Sequence, residues 1–166
     1  SAEVNNYNDR GLIGLAVDPD FPTEPWVYLA YTYDPPETAT ASLYWDGNGS
    51  HRRQLGFGGP DGQGHRLSRL DRVQLDVTTN FTSVIDASRE IVLGTNSVWA
   101  NIGDPFTWQT DVDAPWTCAA YGPGDGPEEG TPIPDCLPTD GGSHSVGALR
   151  FASDGSLFMS IGDGAS

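Results

Sequence analysis

The stretch from Ser143 to Gly164, SHSVGALRFASDGSLFMSIGDG, limits the possible folds more than any other part of the chain. Val146, Ala148 and Phe151 lead into Ser153-Asp154-Gly155, and Leu157, Met159 and Ile161 lead out of it. Two short apolar runs on either side of an Asp-Gly turn are a strong β-hairpin signal. Folding at that turn opposes residues whose numbers sum to about 307, within a residue or two. His144 and Asp163 then fall side by side, just beyond the same end of the two strands. An imidazole beside a carboxylate has its tautomer fixed and its basicity raised. The plain alternative is that both are solvated loop residues.

The rest of the chain suits strands better than helices. Its 166 residues include 21 Gly and 13 Pro, many in turn dipeptides, and few runs show a helical period. The length allows one domain with a real core. Net charge is −15, and all eight basic residues are Arg. So acidic a chain repels phosphate backbones, which argues against nucleic acid or an anionic membrane as partner. No apolar run approaches the roughly 18 residues of a membrane span. Without an initiator Met or a signal peptide, the chain is expected to be a mature or excised piece. An acidic surface also suits a calcium-containing exterior.

Cys118 and Cys136 sit in a Gly/Pro-rich segment without obvious strands. A cross-link there would remove about 3 kcal/mol of unfolded-state entropy. The expectation is a disulfide in an exported, secreted or periplasmic, protein; the alternative is two unrelated thiols, too few for zinc unless His joins them. Asn48-Gly49-Ser50 and Asn80-Phe81-Thr82 match the glycosylation acceptor pattern, which matters only in a eukaryotic secretory route.

In chain order, Gly11 to Val17 (GLIGLAV) is a continuous apolar run, as expected of a strand buried on both faces. Asp18-Pro19-Asp20-Phe21-Pro22 breaks it, and Val27 to Tyr33 returns as a β-branched and aromatic strand. Residues 37–64 are polar and without period, and read as an insertion. His65 to Val77 alternates with one slip between Leu67 and Leu70, which suggests an outer, half-exposed strand with a bulge or bend. Asp86-Ala87-Ser88 reads as a turn into a short fourth strand, Glu90 to Leu93. A second long loop carries Trp99, Trp108, Trp116 and both cysteines.

Four strands followed by a second hairpin resembling the first indicate a repeat: GLAVDPDF…VYLAYTYD against GALRFASDG…SLFMSIGD. Repeated four-stranded units around an axis are β-propeller blades. The expected fold is therefore all-β, a partial propeller with about one and a half blades. Residues 11–94 form the first blade with its 37–64 insertion, 95–142 a disulfide-bearing loop, and 143–166 the start of the next blade. A propeller needs at least four blades, so the chain is expected to be a fragment of one domain. The inner strands would be 11–17 and 147–151, in separate sheets. An ordinary six-stranded sandwich is the alternative.

DRGLIGLAVDPDF, the spaced VYLAYTY, RLSRL and SHSVGALRFASDGSLFMSIGDG together resemble the glucose/sorbosone dehydrogenase family. The resemblance covers residues 9–34, 65–94 and 143–164, in the right order. It implies a secreted or periplasmic six-bladed propeller that uses pyrroloquinoline quinone (PQQ) and calcium to oxidise an aldose at its anomeric carbon. His144 matches the family's general base, which also faces the quinone, and Asp163 matches the aspartate that orients it. General-base help of this kind is worth about 100- to 10,000-fold. Asp9 stands where the family commonly has a Gln or Glu lining the substrate site. Ser143 and Val146 depart from the family's frequent Asp and Gly, whereas Gly147 keeps the second Gly. The other quinone and calcium ligands of the family fall in later blades, so the isolated piece is expected to be inactive.

A different class remains open: a non-catalytic extracellular propeller that binds carbohydrate or protein. Trp99, Trp108 and Trp116 would suit it, because aromatics stack on sugars, unless they cover the loop's own small core. A lactonase-type propeller would need axial Glu, Asn and Asp ligands, and no such set can be placed.

Overall fold

The computed structural model describes residues 3–6, 9–33, 65–102, 117–124, 129–139 and 144–162. The expected 37–64 insertion lies outside them. The GLIGLAV run forms β1 (Leu12–Val17), and the aromatic run returns as β2 (Trp26–Tyr33). Asp18 holds the connection: its carboxylate accepts from the Asp20 N–H at 3.0 Å and the Tyr28 hydroxyl at 3.3 Å. β3 (Arg66–Leu75) follows, then a 3-10 turn at Val77–Thr79, then β4 (Val84–Leu93). These strands pair antiparallel in the order β1-β2-β3-β4. After a second 3-10 turn at Trp99–Asn101 come β5 (Ala119–Ala120), β6 (Thr131–Pro132) and β7 (Leu137–Thr139). The hairpin of β8 (Val146–Phe151) and β9 (Leu157–Ile161) forms a sheet of its own. The chain is all-β with antiparallel sheets.

The β8–β9 hairpin lies against one face of the larger sheet. Ala16, Ala30, Leu70, Val146 and Leu149 are buried between them, with Tyr28, Phe151, Leu157 and Met159 around the margin. Gly14 shows how close the approach is. A Cβ there would stand 2.7 Å from the Gly147 carbonyl oxygen and 2.9 Å from Leu149 Cγ. Only glycine admits the hairpin at that depth. Truncating a side chain buried like Leu70 to Ala costs about 2–5 kcal/mol, because the cavity adds to the lost transfer energy.

Three expectations about strands change. β3 pairs with β2 without interruption from Leu67↔Tyr33 to Trp26↔Gln74, so the Leu67/Leu70 slip is not a bulge against β2. Residues 66–71 are all buried, and the two leucines face opposite sides of an inner strand. The outer strand is β4, exposed along nearly its whole length and reaching back to Val84. Its register against β3 jumps between Arg72↔Glu90 and Gln74↔Ile85, which places a bulge where a turn was expected. There the Ser88 hydroxyl accepts from the Gln74 N–H at 2.7 Å and donates to the Ile85 carbonyl at 2.6 Å. A side chain thus fills the gap in the ladder, as bulges require.

The cysteine segment is not strandless either. β5 pairs with β6, and β7 joins β3 through Arg66↔Thr139, Leu67↔Pro138 and Ser68↔Leu137. Cys118 and Cys136 form a disulfide, with Cα atoms 5.4 Å apart. The bridge packs with Leu67, Trp99 and Ile102 into a second core, flanked by Ile133. Asp135 ties this lobe to the end of β4. Its carboxylate accepts from the Gly94 N–H at 2.7 Å, the Thr95 N–H at 2.9 Å and the Thr95 hydroxyl. Burial pushes this carboxyl up, but the Thr95 hydroxyl and the two N–H groups outweigh it and hold it below its ordinary value.

Candidate functional site

Packing fixes which ends of the two sheets coincide. Gly14 on β1 meets Gly147 and Leu149, whereas Tyr28, paired with Ala16, meets Phe151 with ring centroids 5.2 Å apart. β1 and β8 therefore run in the same direction. The segments that precede them, with Asp9 and His144, come to one end of the fold. The start of β3, the end of β2 and the disulfide lobe lie at that end too. The Asp154-Gly155 turn and the Val77–Thr79 turn lie at the other.

Within the hairpin, Phe151 pairs with Leu157 and Val146 with Ile161, sums of 308 and 307. The register slips once between Val146 and Leu149, where the Ser160 hydroxyl accepts the Ala148 N–H at 2.9 Å. Beyond the last pair, the Gly162 N–H donates to the Ser145 carbonyl at 3.0 Å. The pairing thus continues up to the two candidate catalytic positions. His144 is exposed at this mouth, and Asp163 itself lies outside the described residues, as does Ser143.

His144 has φ 53°, in the left-handed region. Non-glycine residues there are uncommon, and such outliers gather at functional sites. Next to it, Ser145 is buried and its hydroxyl finds no hydrogen-bond partner among the described residues. Asp9 is exposed at the same end, and its neighbour Arg10 is buried with Nη2 3.5 Å from the Thr139 carbonyl oxygen. That contact anchors the entry of β1 to β7.

The aromatic loop divides. Trp99 is buried in the disulfide core, so it covers the lobe rather than offering a face for stacking. Trp108 and Trp116 lie outside the described residues. Val146 is a core residue of the hairpin.

One polar cluster had no sequence signal beyond charges set in an alternating strand. Asp71, buried on β3, accepts from the Tyr31 hydroxyl at 2.9 Å and from Arg89 Nε at 2.6 Å. Arg89 also donates to the Tyr31 hydroxyl at 2.8 Å and to Glu3 at 2.7 Å. Burial first, and the Asp71 charge second, push the Tyr31 hydroxyl well above its ordinary value. Burial alone would lower Arg89, but its bonds to Glu3 and Asp71 raise it. The Arg69 guanidinium lies 3.5 Å from the ring centroid of Tyr33, and its Nη2 donates to the Ser97 carbonyl at 2.7 Å. Opposite charges matched this closely make a structural network.

Cofactor ligands are sparse. Among the described residues, no three His, Cys, Asp or Glu side chains converge to hold a metal ion, so calcium finds no ligand set there. A tricarboxylic quinone needs cations around it. The arginines at this end, Arg10, Arg66 and Arg69, are buried and turned to backbone carbonyls, so the described residues form no cradle for it. Among the described residues, no helix is long and apolar enough to cross a membrane. The chain matches no protein-family model and no curated protein sequence.

Proposed function

We propose that the chain is part of a PQQ-dependent sugar dehydrogenase of the glucose/sorbosone type, exported to the periplasm or the exterior. Support comes chiefly from the junction of His144 with Gly162. It sets an exposed, left-handed His at the mouth of a strand whose partner leads directly into Asp163. In this reading the imidazole takes the proton of the anomeric hydroxyl, and Asp163 fixes the ring's tautomer so that its other nitrogen faces the substrate. Asp9, at the same end, contacts a sugar hydroxyl. PQQ would supply the hydride acceptor, and the residues that would hold it and calcium would lie outside those described. The Cys118–Cys136 bridge suits an oxidising compartment.

The same reading makes the fold a propeller. One face of the β1–β4 sheet is covered by a hairpin whose leading strand runs alongside β1. On the other face the disulfide core covers Leu67, but Leu15 and Val17 on β1 are left 60% and 44% exposed, and Ile91 on β4 is exposed too. A sheet that needs cover on both faces, between similar units, is what a blade is.

Reconstitution of the longer protein with PQQ and calcium, followed by aldose oxidation coupled to a redox dye, tests the activity. Turnover that depends on PQQ supports the enzyme. Tight sugar binding without turnover would instead assign a carbohydrate-binding propeller.

A further inference from the structure

We infer that Gly162 is the positioning residue for His144: the absence of a side chain at 162 is what lets the His144 backbone hold the left-handed conformation that aims its imidazole. The inference rests on His144 being the reactive group proposed above, but its structural half stands alone. A Cβ built on Gly162 would lie 2.5 Å from the His144 carbonyl carbon and 2.8 Å from its Cα, and nearer still to the carbonyl oxygen. Those are backbone atoms, which cannot rotate out of the way as a flexible side chain can. Any larger residue must displace the main chain of His144.

Glycine is not needed here for its own backbone. Gly162 lies outside the left-handed region, unlike Gly155 at the hairpin tip with φ 85°. Alanine could adopt the same dihedrals, so the bar to it is the space that His144 occupies. The constraint also lies past the last cross-strand pair, Val146↔Ile161, and outside the core of Val146 and Leu149. It therefore acts on the mouth of the hairpin. The Gly162 N–H, donating to the Ser145 carbonyl at 3.0 Å, clamps the other side of the same junction. His144 is held between that bond and the bare α-carbon. Relief of a forced contact is simplest by rotation of His144 out of φ 53°, which swings its Cα–Cβ bond and moves the imidazole with it.

The test begins on the unmodified chain. Gly162 Hα should show a strong nuclear Overhauser contact to His144 Hα, and its absence overturns the inference with no variant required. In Gly162→Ala, the His144 imidazole C–H resonances should shift while the methyl resonances of Leu149 and Met159 keep their positions. Unmoved His144 resonances overturn it. In the protein reconstituted with PQQ and calcium, Gly162→Ala should lower kcat on an aldose by about tenfold or more, with KM changed less than about twofold, because only the aim of the base is altered. A change confined to KM would contradict the positioning role. If His144 moves as expected but the unmodified protein oxidises no aldose, the positioning contact stands and the dehydrogenase reading falls.

Discussion

Arg89 Nε lies 2.6 Å from Asp71 Oδ2, yet the two side chains sit in different surroundings, 40% and 2% exposed. The carboxylate has given up its water, and the guanidinium has kept part of its own. Removing the cation leaves a buried negative charge with, among the described residues, only the Tyr31 hydroxyl as partner. Arg89→Ala should therefore lower stability by about 2–3 kcal/mol, toward the smaller end because solvent screens the outer half of the pair. Arg72–Glu90, 2.6 Å apart but with both partners partly exposed at 34% and 55%, is the internal comparison. Glu90→Gln should cost less than about 1 kcal/mol. Urea midpoints measure both, and equal effects would contradict the burial argument.

Tyr31 gives the same cluster a signature in pH. Its hydroxyl is raised above the ordinary value of 10.0 by burial and by Asp71. A group raised in the folded state contributes fully below its unfolded value, and the contribution is lost as pH climbs past it. Stability should accordingly fall as pH rises from 9 through 10 and beyond, on the scale of the ordinary value of 10.0. Tyr33 is raised as well, so Tyr31→Phe should reduce this alkaline slope without abolishing it. A slope unchanged in Tyr31→Phe would remove Tyr31 as its source.

The disulfide lobe depends on its bridge because its core is small, and two of the five buried members are the cysteines themselves. Reduction should lower stability by about 3 kcal/mol, given the 18-residue separation. Thiol titration of the denatured, unreduced chain should find no reactive thiol. Two reactive thiols per chain would contradict the bridge.

What was legible in the sequence, and what was not, follows from the physics of each signal. The β8–β9 hairpin was legible because an Asp-Gly turn and period-two alternation are local. The GLIGLAV run was legible as a strand but not as a one-sided one, because an apolar run does not say which face is covered. Only Gly14 and Ala16 are buried, under the hairpin, while Leu12, Ile13, Leu15 and Val17 are exposed. Leu67 and Leu70 misled because double-sided burial breaks alternation just as a bulge does, and no local signal separates the two. β4 was cut short because Asp86 and Ser88 read as turn residues, while a long-range bond from Gln74 to Ser88 holds them in a strand. β7 escaped because Pro138 and its short length mask pairing that depends on β3. The placement of His144 just beyond the strand end was legible through the hairpin pattern, but its left-handed backbone and its contact with Gly162 depend on the packing of two chain segments. The expected partner Asp163 lies outside the described residues.

Leu15 tests the proposed architecture. On the 166-residue chain, Leu15→Glu changes an exposed position and should alter stability by less than about 0.5 kcal/mol. In a longer protein where a further sheet covers this face, the same charge would be buried without a partner. It should then cost at least about 2 kcal/mol. Equal tolerance in both would contradict a neighbouring blade on that face.

Turnover of His144→Ala tests the central claim most directly. With the longer protein loaded with PQQ and calcium, the variant should bind the quinone, as judged by its absorbance, while aldose turnover falls at least about 100-fold. Asp163→Asn should lose less, because the base survives with poorer orientation. Unchanged turnover in His144→Ala, with PQQ bound and the parent active, would contradict the assignment of His144 as the base.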